Sequence, residues 1–205
     1  FPGVYVIGCE LDELAAKKAE QRLDQVITTP LRKWDSNQLE HLKTIDTVML
    51  LDVLEHMYNP WEELVFLSQH LQKSAQVIVS LPNIKHISTF DQLHKGYWRY
   101  EYHGIRDITH LRFFTEYEME RLFYQAGFRV EKKLYLGVPV DLQFFEQYPV
   151  NVDLNNGLKM QIRSEQHWIQ LFAFQIGFCI RIAEDAQLSP QELVLRYGKH
   201  ASLRA

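Results

Sequence analysis

The stretch IDTVMLLDVLEHMYNP, residues 45–60, decides the fold. Its apolar run, Val48 to Leu51, ends on Asp52, passes through Leu54-Glu55-His56 and stops at Asn59-Pro60. Open α/β sheets form their ligand crevices where a buried strand ends and a loop begins, often on a carboxylate. The stretch therefore predicts a buried strand whose carboxyl end faces a ligand.

The segments on either side alternate between strand and helix patterns. We predict strands at 4–10, 25–28, 47–52 and 76–81, and helices at 13–23 and 60–71. This order favours a parallel sheet with helices on both faces. Farther along we predict a helix at 116–126, strands at 128–136 and 174–183, and a last helix opened by Ser189-Pro190-Gln191-Glu192. Residues 84–115 read as irregular, and 137–157 as loops and turns.

The composition is that of one ordinary globular domain. The chain has 205 residues, 46% hydrophobic and 23% charged, and a net charge of -4. No basic block suggests nucleic acid, no apolar stretch is long enough for a membrane span, and no cysteine or histidine spacing suggests a metal. Cys9 and Cys179 lie in apolar runs, which favours reduced, buried thiols and a cytoplasmic location.

Several motifs together resemble a known family. Residues 45–60 resemble the fourth strand and following loop of class I S-adenosylmethionine (SAM)-dependent methyltransferases, in the ubiquinone-biosynthesis-like branch. The series PNIKH at 82–86, GYWRY at 96–100, GIRD at 104–107 and THLRFFT at 109–115 is similar to methyltransferases of bacterial surface-polysaccharide clusters, some of which are fused to glycosyltransferases.

The resemblance implies a Rossmann-like sheet and SAM as the cofactor. It covers about residues 4–136, so we expect a partial methyltransferase core at 1–136. Residues 137–205 are then the C-terminal part of the same domain, with the last strand and a helical extension, and could form a lid or a dimer surface.

Five residues are implied as cofactor contacts. Glu10 would bind the ribose with Leu11 beside it, Asp35 would meet the adenine amino group, and Asp52 and Val53 would lie along the methionine part. From the residues alone, an equally good explanation is that the negative charge of Glu10 stabilises the N-terminus of the following helix. Asp35 could be a solvated acid.

The candidate catalytic bases are His110 and His56, because imidazole titrates near neutral pH. We expect further polar and aromatic residues to line the mouth of an acceptor site, namely His86, Trp98, Tyr100, Asp107 and Arg112. The alternatives are that Glu55 and His56 pair locally, that the loop is a rigid lid satisfying backbone groups, and that the aromatics belong to the core.

The family's glycine-rich turn after the first strand is missing from the printed residues, which contain no GxG. The first strand normally lies between the second and fourth, so we expect it to be supplied by residues upstream of Phe1 or by another segment. If the printed 205 residues are the whole protein, we expect them to bind SAM weakly or not at all.

The leading hypothesis is methyl transfer from SAM to an oxygen of a sugar or small metabolite. The second is a degenerate methyltransferase-like domain that acts as a non-catalytic interaction module. A third, an NAD-dependent oxidoreductase, shares an acid at the end of the second strand, but the loop at 54–56 and the 110–115 motif argue against it. A homodimer, or fusion to a larger chain such as a glycosyltransferase, fits the resemblance.

Overall fold

The computed structural model describes residues 3–154 and 157–183. Its main sheet contains two neighbouring parallel strands, at residues 47–51 and 76–82. The strands are β1 Ile7–Cys9, β2 Gln25–Ile27, β3 Thr47–Leu51, β4 Gln76–Pro82, β5 Phe128–Leu136, β6 Val150–Asp153, β7 Lys159–Ile162 and β8 Gln175–Ile182. The α-helices are α1 Glu13–Ala19, α2 Ser36–Leu42, α3 Pro60–His70, α4 Ile87–His94, α5 Glu116–Gln125 and α6 Glu165–Phe172. Short 3-10 turns occupy Leu31–Lys33 and Leu54–His56.

The main sheet has four strands in the order β3-β4-β8-β5. β3 and β4 are parallel, whereas β8 runs antiparallel to both of its neighbours. The predicted α/β class is confirmed. β8 takes the near-edge position expected of 174–183, but the sheet is mixed rather than parallel throughout.

β1 and β2 form a separate parallel pair. Among the described residues, neither β1 nor β3 has a strand on its second side. This break falls where the family's first strand is expected, between its second and fourth. On β3 beside it, Met49 is 62% exposed and Leu51 47%.

The core packs α3 and α5 against the main sheet. Leu64 and Leu67 of α3 meet the apolar face of α5 and buried side chains of β4, β5 and β8 in one continuous cluster. Asn59 caps α3 by accepting a hydrogen bond from the Glu62 backbone N–H, and Pro60 takes the first turn, as predicted. Each fully buried side chain of this size contributes about 1.5–3 kcal/mol to folding.

Four elements were not predicted: α4 and β6 lie in segments expected to be irregular, and α2 and β7 in segments without a prediction. Helix α2 begins at a capping box made by Asp35 and Gln38, α4 interrupts the segment 84–115, and β6 and β7 form a hairpin. Ile162, Trp168 and Leu171 form a second cluster beside that hairpin. The predicted helix at Ser189 lies outside the described residues.

The cysteines are free, as expected, but not buried. Cys9 is exposed because β1 is a short edge strand rather than a central one. Cys179, on β8, is only partly covered. In the part of the chain that the structure describes, no helix has the length and apolar character needed to cross a bilayer.

Candidate active site

Asp52, directly after β3, has an unusual backbone conformation. Its φ is 52°, the sole positive value for a non-glycine residue within 3–154 and 157–183. Side chains with a Cβ rarely adopt this region, and such positions cluster at functional sites. The conformation turns the chain sharply out of the sheet.

Two polar neighbours hold the Asp52 carboxylate. Oδ1 accepts hydrogen bonds from Ser80 Oγ at 3.2 Å and Gln175 Nε2 at 2.8 Å, and Oδ2 lies 2.9 Å from the same Nε2. Ser80 pairs with Leu51 across the ladder, and Gln175 begins β8, whose antiparallel course brings its start to this edge. Neither residue was predicted, since their proximity to Asp52 depends on strand order.

The other predicted cofactor residues lie at or after the ends of β1, β2 and β3. Glu10 follows β1, and its Oε1 accepts a hydrogen bond from the Asp12 backbone N–H at 2.9 Å. Leu11 is 57% exposed and lines a shallow hollow along α1. Asp35 Oδ1 accepts from Gln38 N at 2.9 Å, so the cap of α2 uses this acid. Val53, half-buried, precedes the 54–56 turn.

The turn at Leu54–His56 anchors the loop that carries His110. Leu54 is fully buried in the core, and the Glu55 carbonyl accepts hydrogen bonds from the backbone N–H groups of Leu111 at 2.8 Å and Arg112 at 3.0 Å. These backbone bonds fix the loop against the end of β3. The two segments, distant in sequence, therefore form one site.

His56 and His110 meet at this junction. Their ring centroids are 4.7 Å apart at an interplanar angle of 71°. His110 is buried, at 8% exposure, while His56 is open to solvent. The structure thus brings the two candidate bases together.

The Nδ1 atom of each histidine is occupied by the loop. His110 Nδ1 lies 3.1 Å from the Ile105 carbonyl. His56 Nδ1 lies 3.2 Å from the Thr109 carbonyl and 3.1 Å from Thr109 Oγ1, which donates to Asp107 Oδ1 at 2.6 Å. Since both carbonyls can only accept, Nδ1 is the donor in each ring, which leaves Nε2 as the nitrogen not engaged by the loop.

Glu55 lies beneath the histidines, with its side chain 1% exposed. Burial, and to a smaller degree the charge of Asp52, raises the pKa of its carboxyl to about 7. From the sequence, Glu55 was predicted only as a possible local partner of His56. Burial at this position was not evident from the sequence, because a glutamate in a turn is rarely buried.

Aromatic and cationic groups surround the histidine pair. Trp98 packs edge-on against Phe113 at 5.2 Å, and Phe113 contacts the His110 ring at 6.4 Å. Arg112 donates to the Tyr58 carbonyl and lies over the Tyr58 ring. Of the predicted acceptor residues, Trp98, Asp107 and Arg112 therefore belong to this neighbourhood, whereas Tyr100 is 57% exposed with no contact placing it there.

His86 has a separate structural role. Its Nδ1 accepts from the Ser88 backbone N–H at 3.2 Å and so caps α4, while its ring contacts Phe174. Burial and the nearby Arg106 guanidinium lower the pKa of this histidine. No described contact joins it to His56 or His110.

The sequence family described as "Methyltransferase domain" matches residues 5–133, well over half of the chain. Among curated proteins, none matches.

Solved structures share the fold. A SAM-dependent methyltransferase from Archaeoglobus fulgidus is 18% identical with a TM-score of 0.54, over 88% of this chain and 77% of its own. A possible histamine N-methyltransferase from Thermotoga maritima is 16% identical with a TM-score of 0.51, over 85% and 72%. Magnesium protoporphyrin IX methyltransferase from Synechocystis PCC 6803, solved with bound S-adenosylhomocysteine (SAH), is 14% identical with a TM-score of 0.52, over 88% and 65%.

Proposed function

The chain belongs to the methyltransferase-domain family and is a SAM-dependent enzyme, and on that premise we propose that it methylates an oxygen of a sugar or similar small metabolite. The observation that carries the proposal is the histidine pair fixed beside the end of β3, next to the edge where the cofactor would lie. The family match favours this enzyme over the non-catalytic interaction module.

The residues at the strand ends fit SAM. Carboxylates accept hydrogen bonds only, which suits the ribose hydroxyls at Glu10 and the ammonium group of the methionine part at Asp52. Val53 and Leu11 add apolar contacts beside these acids, and Asp35 would meet the adenine amino group from the start of α2. The left-handed backbone at Asp52 supports its assignment, because such strain is typical of a binding position.

Methyl transfer requires the protein to do little more than align the acceptor oxygen with the methyl group and remove the acceptor's proton. Bound SAM supplies a methyl group on an activated sulfonium. The chain's own residues must hold the acceptor oxygen in line with that methyl group and take its proton. We assign proton removal to the cluster of His56 and His110 with Glu55 beneath, where His56 is the member open to an acceptor.

The surroundings of the cluster favour a polar ring as acceptor. Trp98 and Phe113 offer aromatic surface, while Arg112 and Asp107 offer polar contacts, a combination suited to a sugar. With the resemblance noted above, this supports a role in surface-polysaccharide synthesis in the cytoplasm. A homodimer, or fusion to a glycosyltransferase, remains part of the same hypothesis.

The test is to locate the transferred methyl group. The protein is incubated with SAM carrying a ¹³C-methyl group and a panel of free and nucleotide-linked sugars, and products are analysed by NMR and mass spectrometry. We expect an O-methyl carbon, with turnover falling about 100-fold or more in His56→Gln and unchanged in His41→Gln on α2. Label on nitrogen or carbon, or equal loss in both variants, would contradict the proposal.

A further inference from the structure

Glu55, His56 and His110 place one ligand atom each within 4.8 Å of one another. Glu55 Oε1 and His110 Nε2 are 4.0 Å apart, too far for a hydrogen bond. Two ligands bound at about 2.1 Å to one metal ion lie roughly 3–4 Å apart. The spacing therefore matches the shell of a single cation after a small closure.

The Glu55 carboxyl is the second, independent sign of a ligand. It is 1% exposed, and no donor among the described residues forms a hydrogen bond with either oxygen. A buried carboxylate without a partner is costly, so such groups are either neutral or bound to a cation. His110 and His56 supply the other two ligand atoms of the group.

Contacts at the Nδ1 atoms of both histidines leave their Nε2 atoms free to bind a metal ion. The Ile105 carbonyl fixes the tautomer of His110, and Thr109 fixes that of His56, so both Nε2 lone pairs are available. Thr109 is itself held by Asp107, which gives an ordered chain from carboxylate to hydroxyl to imidazole. Metal-binding histidines commonly show this arrangement of their second nitrogen.

We propose that Glu55, His56 and His110 bind one divalent transition-metal cation. Two imidazole nitrogens and one carboxylate oxygen suit ions such as Zn²⁺ and Co²⁺, and three protein ligands leave a position open. This departs from the expectation of no metal, which rested on spacing along the chain. It rests on the proposed function and deepens it, because a cation there would bind the acceptor oxygen and ease loss of its proton to solvent water. The two imidazoles would then act as metal ligands in place of the direct base proposed above.

Cobalt provides a direct test that needs neither SAM nor an acceptor. The full protein is treated with a chelator, dialysed and titrated with Co²⁺ while visible absorption is recorded. We expect a saturable d–d band at a single Co²⁺ per chain, abolished by equimolar Zn²⁺. Absence of a saturable band in folded protein would overturn the proposal.

Variants identify the ligands. We expect His110→Gln and Glu55→Gln to weaken Co²⁺ binding at least about tenfold, and Thr109→Val, which alters only an outer contact, about tenfold. His70→Gln on α3, whose Nδ1 bonds the Phe66 carbonyl, is the matched control and should bind as the parent does. Circular dichroism checks that each variant is folded, and Thr109→Val serves if the buried substitutions unfold.

The outcomes separate this proposal from the function. Equal binding in all variants would place the metal elsewhere and overturn the site. Methyl transfer that survives chelation while Co²⁺ fails to bind would leave O-methylation standing and remove the metal. Metal binding without O-methylation would leave the metal site standing and contradict the proposed O-methylation.

Discussion

At the scale of single residues, Asp52 has a strained backbone conformation and a carboxylate whose two oxygens both accept hydrogen bonds. In Asp52→Ala the left-handed conformation persists without the hydrogen bonds to Ser80 and Gln175. We expect a loss of about 1–3 kcal/mol in the free energy of unfolding, measured by urea denaturation. Asn tolerates this conformation, so Asp52→Asn should lose clearly less stability. Equal losses would mean that the backbone is not strained as described.

His86 should make stability depend on pH. Its Nδ1 lone pair caps α4, and burial with the charge of Arg106 lowers its pKa in the folded state below the ordinary 6.5. The unfolded chain therefore binds the proton more readily, and stability present above pH 6.5 is lost as the pH falls through and below that value.

The measurement for His86 is denaturation between pH 7 and 5. We expect the His86→Asn variant, which can still cap the helix, to show a weaker loss on acidification than the parent. His41→Asn on α2 is the comparison and should retain the parent's pH dependence. An unchanged slope in His86→Asn would show that its protonation is not linked to folding.

At this scale the candidate site residues could be named from the sequence, but the residues that contact them could not. Asp52 was predictable because an apolar run ends on it, and His56 and His110 because their motifs resemble a family. Ser80, Gln175 and the burial of Glu55 depend on which strands become neighbours. That information lies in contacts between segments far apart in sequence, not in local pattern.

At the scale of elements, Asn83 joins the end of β4 to the end of α6. Its amide donates to the carbonyls of Gln170 at 2.7 Å and Ala173 at 2.9 Å, and its Oδ1 accepts from the Lys85 backbone N–H at 3.0 Å. Both carbonyls lie at the helix C-terminus, where intrahelical partners end. The side chain is 1% exposed.

Asn83→Asp replaces the amide donor by an acceptor facing those carbonyls. We expect a loss of about 1–3 kcal/mol in the free energy of unfolding, measured by chemical denaturation. Asn151→Asp, exposed on β6, is the matched control and should change stability by less than about 0.5 kcal/mol. Similar losses in the two variants would rule out the role given to Asn83.

Elements with strong periodicity were predictable, including α3, α5, β3, β4 and β5. The helices α2 and α4 were not, since they are 7 and 8 residues long and begin at caps within polar or aromatic segments. The hairpin of β6 and β7 has strands of four residues each, too short for a clear alternation. Its stability comes instead from packing on Trp168 and its neighbours.

At the scale of the whole molecule, the break between β1 and β3 defines where the cofactor would lie. The carboxyl ends of both strands carry an acid, Glu10 and Asp52. His56 follows Asp52 on the next turn, where the loop that carries His110 meets it. The order of segments allowed this edge to be predicted. The mixed direction of the main sheet was not predictable, because nothing local distinguishes the direction of β8.

The most direct test of SAM use at this edge is calorimetric titration of SAH into three proteins: the unmodified full-length protein, its Glu10→Gln variant and its Glu146→Gln variant. Glu146 is exposed in a loop and serves as the control. We expect saturable binding at one site, weakened at least about tenfold, or 1.4 kcal/mol, in Glu10→Gln and unchanged in Glu146→Gln. No binding to the folded full-length protein, or equal affinity in all three, would contradict the account.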